Sequence, residues 1–145
     1  MIGLIQRVSE AETWVNGEKI SSIGKGIVLL VGVAGDDGPG DVSYLVNKTV
    51  NMRIFSDEKG HLNRSLLEVG GEILIVSQFT LLGDTRKGRR PSFINSMEPK
   101  KANEFYEKFI SKLKEHIKNV PTGIFGAKMQ VSLINDGPVT FVLDI

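Results

Sequence analysis

Apolar positions follow two different periods along this chain, and the switch between them marks out its elements. Ile2 to Val8 is a short β-rich stretch. Thr13-Trp14-Val15 and Glu18 to Ile23 flank Asn16-Gly17, a dipeptide that supplies the positive φ angles of a two-residue type I′ turn, so the spacing predicts a hairpin. Gly26 to Ala34, GIVLLVGVA, is almost uniformly apolar, as expected of a strand buried on both faces. Between Asp41 and Ile54 the period becomes helical. Val42, Leu45, Val46, Thr49 and Val50 form one stripe, with Asp41 placed to cap it. Asp57 to Gly60 reads as a turn, and Glu72 to Leu82 as a second central strand that becomes polar near its end. A second helix is predicted from about Pro99 to Lys118, burying Ala102, Phe105, Phe109, Leu113 and Ile117, with proline suited to its first turn. The chain finishes with a strand from Met129 to Ile134, a turn at Asn135-Asp-Gly-Pro138, and a strand from Val139 to Ile145.

Strands dominate both ends and two amphipathic helices lie between them, without strict βαβ alternation. The expected class is therefore α+β, a mixed or antiparallel, barrel-like sheet covered by two helices. At 145 residues, with no repeat and no linker-like shift in composition, residues 1–145 are expected to form one domain. Exposed sheet edges at this size favour dimerisation.

Composition removes much of the usual catalytic chemistry. The chain has no cysteine, so disulfides, thiolate nucleophiles and cysteine-ligated metals are excluded. The two histidines, His61 and His116, lie far apart without an HExxH pattern, and read as surface residues. No metal and no cofactor are expected: GVAGDDGPG lacks the Walker lysine and hydroxyl, and no GxGxxG occurs. With 18 basic and 17 acidic residues there is no general polyanion-binding signature. The positive charge is local, in Asp84-Thr-Arg-Lys-Gly-Arg-Arg-Pro91, where Arg86, Lys87, Arg89 and Arg90 stand against one acid. No apolar run is long enough to span a bilayer, and the first residues do not resemble a signal peptide, so no membrane association and a cytoplasmic location are expected.

Three segments could carry chemistry. Ser77-Gln78-Phe79-Thr80 places hydroxyls and an amide at the end of a buried strand. Where a strand leaves its sheet, successive backbone N–H groups become free and can hold the oxyanion of an attacked ester. Thr80 is a nucleophile only if a base stands beside it, and no histidine is near in sequence. The plain alternative is that Ser77 and Thr80 bond across strands while Phe79 packs in the core. Gly137-Pro138 offers an X–Pro bond, for which cis is accessible, and a rigid backbone there could police a pocket without any side chain. Its alternative is an ordinary hairpin turn, which Asp-Gly signals strongly. The basic loop could meet phosphates, with Phe93 near enough to stack on a base, or could simply be solvated.

Taken in order, Ile5-Gln-Arg-Val-Ser9, Asn63-Arg-Ser65, Val69-Gly-Gly71, Ser77-Gln-Phe-Thr-Leu81, Asp84-Thr-Arg-Lys-Gly-Arg-Arg-Pro-Ser92, Phe125-Gly-Ala127, Met129-Gln-Val131 and Asn135-Asp-Gly-Pro-Val-Thr140 form one pattern. Over essentially its full length the chain resembles the D-aminoacyl-tRNA deacylases, once called D-tyrosyl-tRNA deacylases. The SQFT and NDGPVT motifs together, at this spacing, are far more specific than either alone. The resemblance implies a homodimer that hydrolyses the ester between a D-amino acid and the 3′ adenosine of tRNA. It implies that Gly137-Pro138 is cis and enters the partner subunit's site, binding the amino group and leaving no space for an L side chain. Glycyl-tRNA, with no side chain to clash, would be a second substrate. Arg7 would orient the Gly-Pro unit, and Met129 would wall the pocket. Ser77, Gln78, Phe79 and Thr80 would line the reaction centre, with N–H groups near Gln78 and Phe79 polarising the carbonyl. Arg86, Lys87, Arg89 and Arg90 would meet tRNA. For the attack the resemblance suggests either a Thr80 nucleophile or water activated by the substrate's own ribose 2′-hydroxyl, and with no base found for Thr80 the sequence favours the second.

The chain departs from the family pattern at Trp14, where smaller β-formers are commoner, and at Leu82-Gly83, which replaces a polar or aromatic pair. These put only local packing or tRNA contacts in doubt. Two rival classes stand beside this reading: a non-catalytic nucleic-acid-binding module, and a free-standing editing domain acting on an L-aminoacyl-tRNA.

Overall fold

The computed structural model describes residues Met1–Ile145. β1 (Ile2–Val15) turns into β2 (Glu18–Ile23) through Asn16 and Gly17 at φ 51° and 82°, the expected hairpin. β3 (Gly26–Gly32) is buried along almost its whole length. α1 (Pro39–Asn51) buries Val42, Leu45, Val46, Thr49 and Val50, the stripe read from the sequence. Asp41 is not its N-cap, however. Gly38 is the cap, and Asp41 sits one turn in, where its Oδ2 accepts the Gly38 N–H at 2.7 Å. A small hairpin of β4 (Phe55–Ser56) and β5 (Leu62–Arg64) leads to α2 (Leu66–Val69).

β6 (Glu72–Ser77) is the second central strand, but it stops at Ser77. Residues Phe79–Leu82 form a 3₁₀ turn instead of continuing the ladder. α3 (Pro99–Leu113) is capped by Glu98 and ends earlier than the sequence pattern suggests. The sheet is mixed. β1 pairs antiparallel with β3 and then β2 along one edge and with β7 (Gln130–Asp144) along the other, while β3 and β6 run parallel. It curls as a half-barrel. The larger core lies between the sheet and the helices, around Ile5, Leu29, Ile75, Leu45 and Phe109. A smaller one, around Val8, Ala11, Val28, Leu74 and Val76, fills the opposite face. The architecture is thus α+β as expected, with three helices in place of two.

The largest correction concerns β7. No turn separates two C-terminal strands. The register pairs Gln6 with Thr140 and Val8 with Asn135, so Asp136, Gly137, Pro138 and Val139 oppose Arg7 alone. Pairing to β1 on both sides holds the chain in one direction, and the Asp-Gly-Pro signal is expressed as a bulge. A proline without an N–H is well suited to such a position.

β3 and β6 leave no space beside Gly26, where a Cβ would stand 1.9 Å from the Glu72 carbonyl oxygen. Both partners are backbone, so neither can swing aside. Gly26→Ala is expected to lower stability by about 3 kcal/mol, measured as a shift in the urea unfolding midpoint; an unchanged midpoint would show that the two strands separate at little cost.

Candidate active site

The parallel pairing of β3 and β6 delivers Ser77 to a point where the sheet ends. The Gln78 N–H makes the last ladder-like bond, to the Val31 carbonyl at 2.7 Å. Gln78 then turns the backbone (φ −145°, ψ 77°) into the 3₁₀ segment, closed by Leu81 N–H to Gln78 O at 3.3 Å and Gly83 N–H to Thr80 O at 3.0 Å. A turn of this kind leaves its first N–H groups without acceptors. Those of Phe79 and Thr80 have none within the chain. The open donors are therefore Phe79 and Thr80, not Gln78.

The turn adjoins a cavity of about 640 Å³. Ser77, Gln78 and Phe79 line one side, and Phe125 and Met129 are also in its wall. The Met129 wall is fixed through Ile75, whose N–H donates to Pro121 O at 3.0 Å and whose carbonyl accepts from Gly123 N–H at 2.9 Å. That carbonyl also takes the Tyr106 hydroxyl at 3.0 Å. Burial pushes the Tyr106 phenol well above its usual value, so this hydroxyl is a structural donor and stays neutral. A Cβ at Gly123 would lie 2.6 Å from Met129 Sδ and would displace that side chain, and the same sulfur accepts the Ile124 N–H at 3.3 Å.

Thr80 lies outside the cavity wall. It is exposed, and its hydroxyl receives the Gln78 side-chain amide. An amide N–H is a donor and cannot act as a base toward that hydroxyl. The carboxylate in the cavity wall is Glu98, which sequence reasoning did not single out. It accepts the N–H groups of Lys100 and Lys101 at 3.0 and 3.1 Å, and these bonds hold its pKa below the usual carboxylate range. Its place in the wall depends on Met97 N–H bonding Val33 O at 3.0 Å, a tertiary contact with no local signature. The Phe125-Gly-Ala127 segment also enters the wall, and its only sequence signal is the family motif. No cluster of three or more His, Cys, Asp or Glu residues is arranged to hold a metal ion.

Gly137 and Pro138 are exposed and are not part of this cavity. Their peptide bond is cis. Arg7, nearly buried, holds the bulge: its Nε donates to the Asp136 carbonyl at 3.1 Å, and its carboxylate stands at the same distance. Arg7 Nη1 donates to Ile54 O at 2.7 Å, tying the bulge to the segment before β4. Gly137 is at φ 130°, and a Cβ there would come within 2.8 Å of Val139 Cγ2, so only glycine fits without strain.

The basic loop is followed directly by Phe93 of the cavity wall. Asp84 and Ser92 close it with paired backbone bonds of 2.8 and 2.9 Å. Arg86 is committed to Asp84 through two side-chain contacts of 2.9 and 2.7 Å; this pairing, with the Arg86 N–H, holds the Asp84 carboxyl at about 2. Lys87, Arg89 and Arg90 are exposed and unpaired. Phe93 turns its ring edge-to-face against Phe79, centroids 5.1 Å apart, and both line the cavity.

Residues 4–144 match the family profile described as D-Tyr-tRNA(Tyr) deacylase. The chain is 51% identical over 144 residues to the D-aminoacyl-tRNA deacylase of Thermoanaerobacter pseudethanolicus, covering 99% of this chain and 97% of the relative. It is 52% identical over the same shares to that of Thermosipho africanus. Among solved structures it superimposes on the c-Myc DNA Unwinding Element Binding Protein with a TM-score of 0.95 at 40% identity, covering 100% and 99% of the two chains. A probable eukaryotic D-amino acid tRNA deacylase shares the fold, with a TM-score of 0.85 at 19% identity over 99% and 98%.

Proposed function

The chain belongs to the D-aminoacyl-tRNA deacylase family, and from that premise we propose that it hydrolyses the ester linking a D-amino acid to the terminal ribose of tRNA. The observation that carries this reading is the pair of unpaired N–H groups on Phe79 and Thr80 beside the cavity. Ester hydrolysis builds negative charge on the carbonyl oxygen, and preorganised donors at that point lower the barrier. Water adds to the carbonyl carbon, the oxyanion rests on these N–H groups, the bond to the ribose 3′ oxygen breaks, and that oxygen leaves with a proton. The products are free amino acid and tRNA. Ser77, Gln78, Phe79 and Thr80 frame this centre, Met129 walls it, and no cofactor or metal enters the scheme.

Chirality is read by Gly137 and Pro138 from a second copy of the chain. Their exposure, their place outside their own cavity and the grip of Arg7 on Asp136 support a projecting, rigid backbone unit. Exposed apolar side chains on both faces of β7, Ile134 at 54% and Val142 at 63%, support a homodimer. Such a site excludes an L side chain by steric conflict and leaves glycine unopposed, so glycyl-tRNA is a second substrate. Lys87, Arg89 and Arg90 meet tRNA phosphates, while Arg86 shapes the loop that presents them. One folded unit spans residues 1–145. No helix is long and apolar enough to cross a membrane, and a tRNA substrate supports a cytoplasmic location.

Deacylation rates of matched D- and L-phenylalanyl-tRNA test the proposal. The D ester is expected to be hydrolysed at least about a thousandfold faster, beyond the roughly 10–200-fold that a single methylene supplies. Equal rates would overturn chiral rejection, and binding without hydrolysis would reduce the protein to a nucleic-acid-binding module.

A further inference from the structure

The geometry points to Glu98 as a specificity-determining residue: its carboxylate accepts a hydrogen bond from the exocyclic amine of the substrate's terminal adenine. This inference rests on the deacylase reading. Glu98 is in the cavity wall, yet its carboxylate is not free to wander, because the two oxygens accept the Lys100 and Lys101 N–H groups separately. Each oxygen keeps a second acceptor position. The result is a charged, acceptor-only group in a fixed orientation. Apolar residues share the wall with it, among them Pro99, Ala102 and Phe125. Ser96, two residues earlier, also lines the cavity, and its hydroxyl has no partner within the chain. A planar ring with an N–H donor on its edge satisfies this surface, whereas a phosphate would be repelled by the carboxylate.

The aminoacyl ammonium group is a poorer match. It lies two bonds from the reacting carbonyl, and so must remain close to Phe79. The Glu98 segment is anchored two residues further along the strand direction. Met97 bonds Val33, whereas Gln78 bonds Val31. That offset is about 7 Å at the rise of a β-strand. The base, at the far end of the nucleoside from the ester, spans such a distance.

The test compares D-phenylalanyl-tRNA ending in adenosine with the same tRNA ending in purine riboside, which lacks the exocyclic amine. The wild-type protein is expected to favour adenosine roughly tenfold in kcat/KM, as for a hydrogen bond to a charged acceptor. Glu98→Ser keeps a capping side chain on α3 while withdrawing the carboxylate, and the preference is expected to fall to near unity. A preference that persists in Glu98→Ser overturns the assignment, whatever its effect on stability, because both substrates are measured on one variant. If the variant instead loses discrimination between D-phenylalanyl and D-phenyllactyl esters, Glu98 serves the ammonium group and the base assignment fails. A wild-type protein that hydrolyses neither ester would count against the deacylase reading itself.

Discussion

Removing the 2′-hydroxyl from the terminal ribose is expected to slow single-turnover deacylation by about 10²–10⁴, the range supplied by general acid–base assistance, whereas Thr80→Ala is expected to retain most of the activity. Thr80 has the hydroxyl a nucleophile needs but not the surroundings. It is exposed, it stands outside the cavity wall, and its nearest polar partner is the Gln78 amide, which donates to it. Glu98, the carboxylate in the wall, is engaged by two backbone N–H groups and held in its charged form at low proton affinity, so it is a weak base. Neither His61 nor His116 borders the cavity. Under substrate assistance the vicinal hydroxyl, always adjacent to the ester, would orient water and relay the proton. Single-turnover rates for the deoxy substrate and for Thr80→Ala decide between the two accounts. A Thr80→Ala protein that is inactive toward an intact ribose, with the deoxy substrate unaffected, would overturn substrate assistance.

Local patterns were legible wherever neighbouring residues decide the outcome. The α1 stripe and the Asn16-Gly17 hairpin depend on helical period and on backbone angles that few residues adopt, and both stand as the sequence implies. α2 was also within reach, since Ser65 and Glu68 form a capping box in which each side chain accepts the other's N–H. The bulge at Asp136–Val139 was not. Asp-Gly-Pro favours reversal, and only pairing with β1, some 129 residues away along the Arg7–Asp136 contact, keeps β7 continuous. The functional residues divide the same way. The polar end of β6 marked Ser77 to Thr80, but which N–H groups remain open depends on Val31 taking that of Gln78. Glu98 entered the cavity wall through the Met97–Val33 bond and carried no motif of its own. The basic loop was visible as charge, yet its internal pairing was not, and Arg86 is occupied by Asp84.

Because the proposed oxyanion donors are backbone groups, truncating side chains cannot remove them, and the decisive variant has to delete an N–H. Phe79→Pro does so at the first position of the 3₁₀ turn, where the fixed φ of proline is tolerated and no intrachain bond is lost. The preceding Gln78, at φ −145° and ψ 77°, is already outside the α region that a following proline disfavours. Proline also deletes the ring that packs on Phe93, so Phe79→Ala is the proper reference: it loses the same ring and keeps the N–H. Relative to Phe79→Ala, the proline variant is expected to lose about 10²–10³ in kcat, the size found when one oxyanion donor is removed, with a similar unfolding midpoint. Single-turnover kinetics on D-phenylalanyl-tRNA provide the comparison. Equal kcat in the two variants would mean that the Phe79 N–H does not carry the developing charge, leaving Thr80 as the sole backbone donor. A loss confined to KM would mean that it holds the ground-state ester and gives no preference to the transition state.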